Sequence, residues 1–571
     1  MITKTLLISL LGLTTSVYAQ TSQPTTAPTA APVNILAATY IGSTSNDTLD
    51  GVAFDAQGQF YVVGNFGAKL ELDKITSITV GTTDPASSYG HAYLLRWDAT
   101  GTRINAALRI AQGNVKLTSV AVGKDAFYIA GYATPATSVW ITPLAGLFPK
   151  PVTPVPPAQE RFTAKDHYSE PNFAPGTDQR GTPFVAQVNK EMTKVIAATY
   201  LEGWQSLWHV PQPLNEDVWQ PVGLAVLTSG DVVVGHDGGY QTTPPAGRKA
   251  GPEEFFHQPD HLSRLSADLK LRRWTQTIYT PPVPAANAGI ILGQPWPFAT
   301  LGNTRMLRLR VDARDNIYAC GWSPTQTMKE PWWSPWLHRY DANGKLVWTA
   351  YEFDPTSGGG RLNGLVSDSA IMSVALDPDG QVLITSGGDG GNSVLSKDPR
   401  DYNKPASLRG GVWGFRGRTL FWGTVARLDA TSRGLQGGEH IAGFNQSQLS
   451  PAWGTDIVGL PHGQVLAVGR NQSGFDTSKD AWYSGPGAWL RLYKPNFETR
   501  FATSIPQTNF VMAERYQDRV VVIGMSGQNQ LPRKRDRVVQ TEMPPLVRPV
   551  QNKLSGTTDG YLMLLKINIP Q

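Results

Sequence analysis

The sequence predicts an all-β fold, a seven-bladed β-propeller with four-stranded blades, and three observations carry that expectation. One apolar hairpin pattern recurs seven times along the chain. A second hairpin pattern alternates with it and appears six times intact. The seventh copy of the second pattern is divided between the two ends of the chain.

The first pattern is an apolar strand, a tight polar turn and a second apolar strand ending in a small residue. It reads GVAFDAQGQFYVVG (51–64), SVAVGKDAFYIAG (119–131), GLAVLTSGDVVVG (223–235) and RLRVDARDNIYACG (308–321). SVALDPDGQVLITSG (373–387), DIVGLPHGQVLAVG (456–469) and FVMAERYQDRVVVIG (510–524) complete the set. β-Branched and aromatic runs flanking Gly, Asp or Asn are the composition of a hairpin, because the runs fit a pleated surface and the turn residues tolerate left-handed backbone.

The second pattern begins with HAYLLRWDATGTRINAAL (91–108) and PFVAQVNKEMTKVIAATY (183–200). It returns at 261–278, 336–353, 423–441 and 488–505. GYLMLLKINI (560–569) then ends the chain with no following partner, and NILAATYIG (34–42) opens it with no preceding one. The opening segment matches VIAATYLEG (195–203), which closes the second unit. It is therefore expected to serve as the outer strand of the last blade, closing the ring without a disulfide.

Upstream of this fold, MITKTLLISLLGLTTSVYAQ places Lys4 before an apolar run and Val17-Tyr18-Ala19 after it, the layout of a secretory signal cut after Ala19. The run falls well short of the roughly 20 apolar residues that span a bilayer, and no transmembrane segment is expected. Residues 20–33 hold almost only Thr, Ala, Pro, Gln and Ser, too little apolar surface to offset ordering entropy, and read as a flexible tether. Residues 34–571 are left as one propeller, placed outside the cytoplasm: periplasmic, surface-held or secreted.

Cys320 is the only cysteine, which rules out intramolecular disulfides and cysteine-clustered metal sites and fits a buried apolar role. A net charge of +5 over 571 residues is weak, so no nucleic-acid partner is expected. Nothing in the sequence asks for a cofactor.

The stretch ATYIGSTSNDTLDGVAFDAQGQFYVVGNF (38–66), with GYLMLLKI as its neighbour around the ring, resembles the bacterial SBBP repeat, named for its seven-bladed β-propellers. The likeness is closest in this first copy and covers strands rather than links. It implies an extracytoplasmic propeller and supplies no catalytic motif to carry over.

In such a ring the links inside hairpins share one face, and the links between hairpins and between blades share the other. The first set is short, as AQG (56–58), ANG (342–344) and PDG (378–380) show; the second is long and irregular. Long links concentrated on one face point to binding there. Tryptophans concentrate in them: Trp204, Trp208 and Trp219, then Trp322, Trp332 and Trp333, then Trp413, Trp453 and Trp482. They are read either as small cores that pack the links or as the walls of a groove for sugar rings or a protein partner. His236, Asp237 and Tyr240 leave one hairpin, and Asp389 leaves another at the corresponding place, with Asp368 entering the same blade. They are read either as a ligand or cation site or as residues suited to tight exits; whether a metal is held is open.

No GxSxG, HExxH or Asp-box motif occurs. The expectation is a non-catalytic binding or scaffold module for glycan or protein at the cell envelope. The alternative is a polysaccharide lyase or glycoside hydrolase using carboxylates on the same face.

Overall fold

The computed structural model describes residues 32–72, 75, 77–80, 91–110, 114–134, 182–201, 223–237, 260–278, 290–291, 294–295, 305–326, 331–351, 369–388, 394–410, 422–445, 448–450, 452–471, 476–527 and 542–569. Seven antiparallel four-stranded blades form from them. Blade 1 runs Asp47–Phe54, Phe60–Phe66, His91–Trp97 and Ile104–Ile110 from the axis outward. Blade 4 runs Arg305–Val311, Ile317–Gln326, Pro331–Tyr340 and Leu346–Ala350. Blades 2, 3, 5 and 6 repeat the order with inner strands Asn114–Val122, Gly223–Val226, Ser369–Leu376 and Ala452–Gly459.

Blade 7 closes the ring as expected. Thr508–Tyr516, Arg519–Gly527 and Thr558–Ile567 come from the C-terminal end, and Val33–Ile41 supplies the outer strand. The register runs antiparallel from Val33 opposite Ile567 to Ile41 opposite Gly560. The strand starts at Val33, and the Asn568 amide donates to the Pro32 carbonyl, so the fold claims the last two residues of the expected tether.

Continuous apolar runs, rather than alternating ones, follow from where the blades pack. Each blade is covered on both sides, so both faces of its strands need apolar residues. In Val465–Asn471 of blade 6, Val465 and Ala467 pack toward blade 5, whereas Leu466 and Val468 pack toward blade 7. In blade 7, Val520 and Val522 face blade 6 and Val521 and Ile523 face blade 1. The described residues hold seven such buried clusters, one at each junction between blades. Cys320 lies in the one between blades 4 and 5, fully buried, and burial pushes its thiol pKa up.

The short turns are set by local chemistry. Asp55 accepts the amides of Gln57 and Gln59, Asp341 those of Asn343 and Lys345, and Asp377 those of Asp379 and Gln381. The fourth residue of such turns takes a left-handed conformation, as at Gly344 (φ +80°) and Gly380 (φ +78°). The outer of these turns are also tied to the preceding blade. Arg264 and Trp274 of blade 3 donate to the Ala342 carbonyl of blade 4, at 2.9 and 3.1 Å. Arg339 and Trp348 of blade 4 donate to Ala430 of blade 5, at 2.8 and 2.9 Å. Tyr128 to Ala267, Arg427 to Pro495 and Arg519 to Ala99 repeat the tie at three more junctions.

The long links do not all stay on their own face. In four consecutive blades, the link between the second and third strands turns down along the outer edge of its own blade. Ser77–Val80 pairs parallel to the outer strand of blade 1. Arg409 exchanges backbone bonds with Gly438 and His440 on blade 5. Ser478 and Tyr483 bond Ala502 and Ser504 on blade 6. Val547 and Gln551 bond Ala38 and Tyr40 on blade 7. These straps give an exposed edge strand its missing partners.

Candidate binding face and axial charge cluster

Inner strands of six blades carry a β-bulge at the same register. The shift falls between Leu49/Gly51, Leu117/Ser119, Met306/Arg308, Ile371/Ser373, Gly454/Asp456 and Phe510/Met512. A bulge bends the strand and re-aims the residue that follows. That position is Gly, Ser or Met in four blades, but Arg308 in blade 4 and Asp456 in blade 6.

These two meet. Arg308 Nη2 lies 3.2 Å from Asp456 Oδ2, and Arg308 also donates to the Val511 carbonyl of blade 7 at 3.3 Å. Asp456 is fully buried and accepts from the Ser373 hydroxyl of blade 5, the Ala513 amide of blade 7 at 2.8 Å and its neighbour Ile457. Two residues further along blade 4, Arg310 pairs with Glu514 of blade 7 at 3.3 Å. Burial pulls the Arg308 pKa down, and the Asp456 carboxylate opposes it. The cluster therefore joins blade 4 to blades 5, 6 and 7 by fixed charges and hydrogen bonds.

Toward the long-link end, His236 and His261 sit opposite each other on the second and third strands of blade 3, rings 5.7 Å apart and both buried. Asp237 pairs with Asp260 one step further, and the Asp260 carboxylate accepts the Met306 amide of blade 4. In blade 6, Trp453 is half-buried, directly opposite Arg470, whose guanidinium lies 4.1 Å from its ring centre. Trp482 belongs to the strap of blade 6: its amide donates to Thr503 and its ring packs on Phe501 at 5.1 Å, against the core between blades 6 and 7. These are packing contacts, made while the side chain stays partly exposed.

Trp322, Trp332 and Trp333 are in strands, not in a link. The second and third strands of blade 4 pair from Ile317 opposite Tyr340 out to Gln326 opposite Pro331, leaving only 327–330 as the connection. Trp322 is partly exposed. Trp204, Trp208, Trp219, Tyr240, Asp368, Asp389 and Trp413 lie outside the described residues, as do the side chains of Asp237, Trp332 and Trp333. Among the described residues no group of three His, Cys, Asp or Glu is arranged to hold a metal ion, and no helix is long and apolar enough to cross a membrane.

No protein-family model matches the chain, and no curated protein matches its sequence. Similar solved structures include the Dos1 propeller, 9% identical over 92% of this chain and 95% of that one, with a TM-score of 0.37. The β-propeller domain of the Trilobed protease from Pyrococcus furiosus is 8% identical, covering 85% of this chain and 90% of its own, with a TM-score of 0.34. A polysaccharide lyase of family PL25, an ulvan lyase, is 8% identical over 86% and 92%, with a TM-score of 0.40. Values this low say nothing about ligand or reaction; the propeller assignment rests on the strand order itself.

The axial pair was within reach of the sequence. The seven copies align on their turns, and the residue that opens them is Gly or Ser in four and Phe510 in one, whereas Arg308 and Asp456 open the other two. Opposite charges at one register position of a closed ring are candidates for pairing across it. His261 gave no such signal, since only strand pairing brings it to His236.

Proposed function

We propose that this chain is an extracytoplasmic binding propeller that holds a glycan or a protein on its long-link face without transforming it. The observation that carries the reading is the unequal construction of the two faces. On one, short side-chain-capped turns are closed and tied to the neighbouring blade through Ala99, Ala267, Ala342, Ala430 and Pro495. On the other stand Trp322 and Trp453, each partly exposed on a strand of its blade, so that part of a flat ring reaches the surface on a rigid base. The signal-like leader at residues 1–19 supports the location.

The test is a glycan array and a surface-protein capture with the mature chain, repeated with variants of each face. Trp322→Ala and Trp453→Ala are expected to reduce binding at least tenfold. Asn343→Ala and Asp379→Ala, on the short-turn face, are expected to leave it unchanged. Loss of binding in the second pair with retention in the first would place the ligand on the wrong face for this reading.

A further inference from the structure

We propose that the strap of blade 5, residues 394–410, is an acid-sensitive cover: the buried His440 ring clips it to the sheet, and charging that ring loosens it from the edge it protects.

The strap begins with a single 3-10 turn at Val394–Ser396, and Lys397–Asp398 then pairs with Asp401–Pro405 in a short hairpin. The Ala406 amide donates to the Ser396 carbonyl at 2.7 Å, which draws the two ends of the hairpin together. Beyond it the chain runs beside the outer strand, Leu435–Ile441. The Arg409 amide donates to the Gly438 carbonyl at 2.8 Å, and the His440 amide donates to the Arg409 carbonyl at 2.9 Å. Val394 and Leu395 are buried in the cluster between blades 4 and 5, so the strap is docked along its length.

His440 sits where strap and sheet meet. Its Nε2 lies 3.1 Å from the Ser396 hydroxyl of the strap, and its Nδ1 lies 3.0 Å from the Thr424 hydroxyl of the third strand, Trp422–Leu428. The Trp422 ring meets the imidazole edge-on at 4.5 Å. A neutral ring donates from one nitrogen and accepts at the other, and hydroxyls serve either need. A second proton creates a buried cation without a counter-charge. Glu439, the next residue and so directed to the other face of the strand, is held by Arg491 at 2.8 Å. On the strap Asp398 pairs with Arg400, Asp401 with Lys404, and Arg409 with Glu498; on the third strand Arg427 pairs with Asp377. The remaining charge on these elements, Lys397, is itself a cation.

Lifting the strap gives the imidazole water, and with it the ordinary histidine pKa of about 6.5. Docked, the ring stays neutral to lower pH because burial disfavours its charge. Protons therefore favour the open strap as pH falls below 6.5, and opening becomes on the order of 100-fold more populated at pH 4.5 than at pH 7.5. What it uncovers is a sheet edge with the Gly438 carbonyl and the His440 amide unpaired.

The test is amide hydrogen exchange of the mature chain at pH 7.5 and 4.5, corrected for intrinsic rates. Protection at Arg409 and His440 is expected to fall on the order of 100-fold. Protection at Ser478 and Val547, in the straps of blades 6 and 7 that contain no histidine, is expected to hold. His440→Gln, a polar ring substitute that takes no proton, is expected to remove the fall at Arg409. An equal fall in all three straps, or none on blade 5, overturns the inference. So does a full fall that persists in His440→Gln. Should that variant fail to fold, the comparison of the three straps within the unaltered chain still decides between the outcomes.

Discussion

Arg308 of blade 4 and Asp456 of blade 6 occupy the same register position in their blades and form an ion pair at 3.2 Å, with the aspartate fully buried. Breaking one half strands the other charge in a low-dielectric interior. Asp456→Ala is expected to cost about 3–5 kcal/mol in denaturant unfolding. Removing both charges, as Arg308→Met with Asp456→Asn, is expected to recover a large part of the loss. A double variant no more stable than the single one would mean that the pair contributes more than its own burial costs.

Ring closure by the first strand gives a second expectation. Deleting 33–41 exposes the edge of Thr558–Ile567 and uncovers Leu562 and Leu564, both fully buried. The truncated chain is expected to melt at lower temperature than the mature protein and to aggregate, as read by scanning calorimetry and light scattering. Equal melting would show that the ring holds without its latch.

His440 supplies a pH dependence of definite sign. It is buried, with Thr424 and Ser396 hydroxyls at 3.0 and 3.1 Å from its two ring nitrogens, and burial pulls its pKa down to about 4. The unfolded value is about 6.5. The fold thus favours the neutral ring, and this contribution is complete above pH 6.5. It is lost as pH falls toward 4, by about 3 kcal/mol. Denaturant midpoints at pH 7.5 and 4.5 measure the change, and His440→Gln is expected to shrink the difference.

Two glycines in equivalent left-handed turns are predicted to respond differently to alanine. At Gly380 an added Cβ meets open space, so only the backbone preference is lost, about 1 kcal/mol. At Gly344 the same atom lands 2.9 Å from the Trp274 ring, which already donates to Ala342. Gly344→Ala is therefore expected to be the more destabilising in thermal melts, and the reverse order would remove the turn-to-blade tie from the account.

The architecture was legible because its signals are local and repeated. Runs such as FYVVG and VLAVG, each preceded by a turn with Asp or Gly, specify hairpins within about 15 residues, and the stray segment 34–42 announces its missing partner. The straps were not legible. Ser-Ile-Thr-Val at 77–80 reads as a weak strand, and nothing local says that it lies beside Ile104–Ile110. Trp482 was open between a packing core and a groove wall for the same reason: only its bond to Thr503 and its packing on Phe501 reveal it as part of a strap. Trp322, Trp332 and Trp333 read as link residues because three prolines and a Lys-Glu pair interrupt the pattern of a ladder that runs on to Gln326 opposite Pro331.

The straps also bear on how copies of this molecule can meet. Four adjacent outer edges, from blade 5 through blade 7 to blade 1, have backbone groups engaged by the chain's own links. Sideways joining of sheet to sheet, the route by which edge strands polymerise, finds those groups already taken. On these edges the rim is a finished surface, which a neighbouring copy would meet through side chains rather than by extending a sheet.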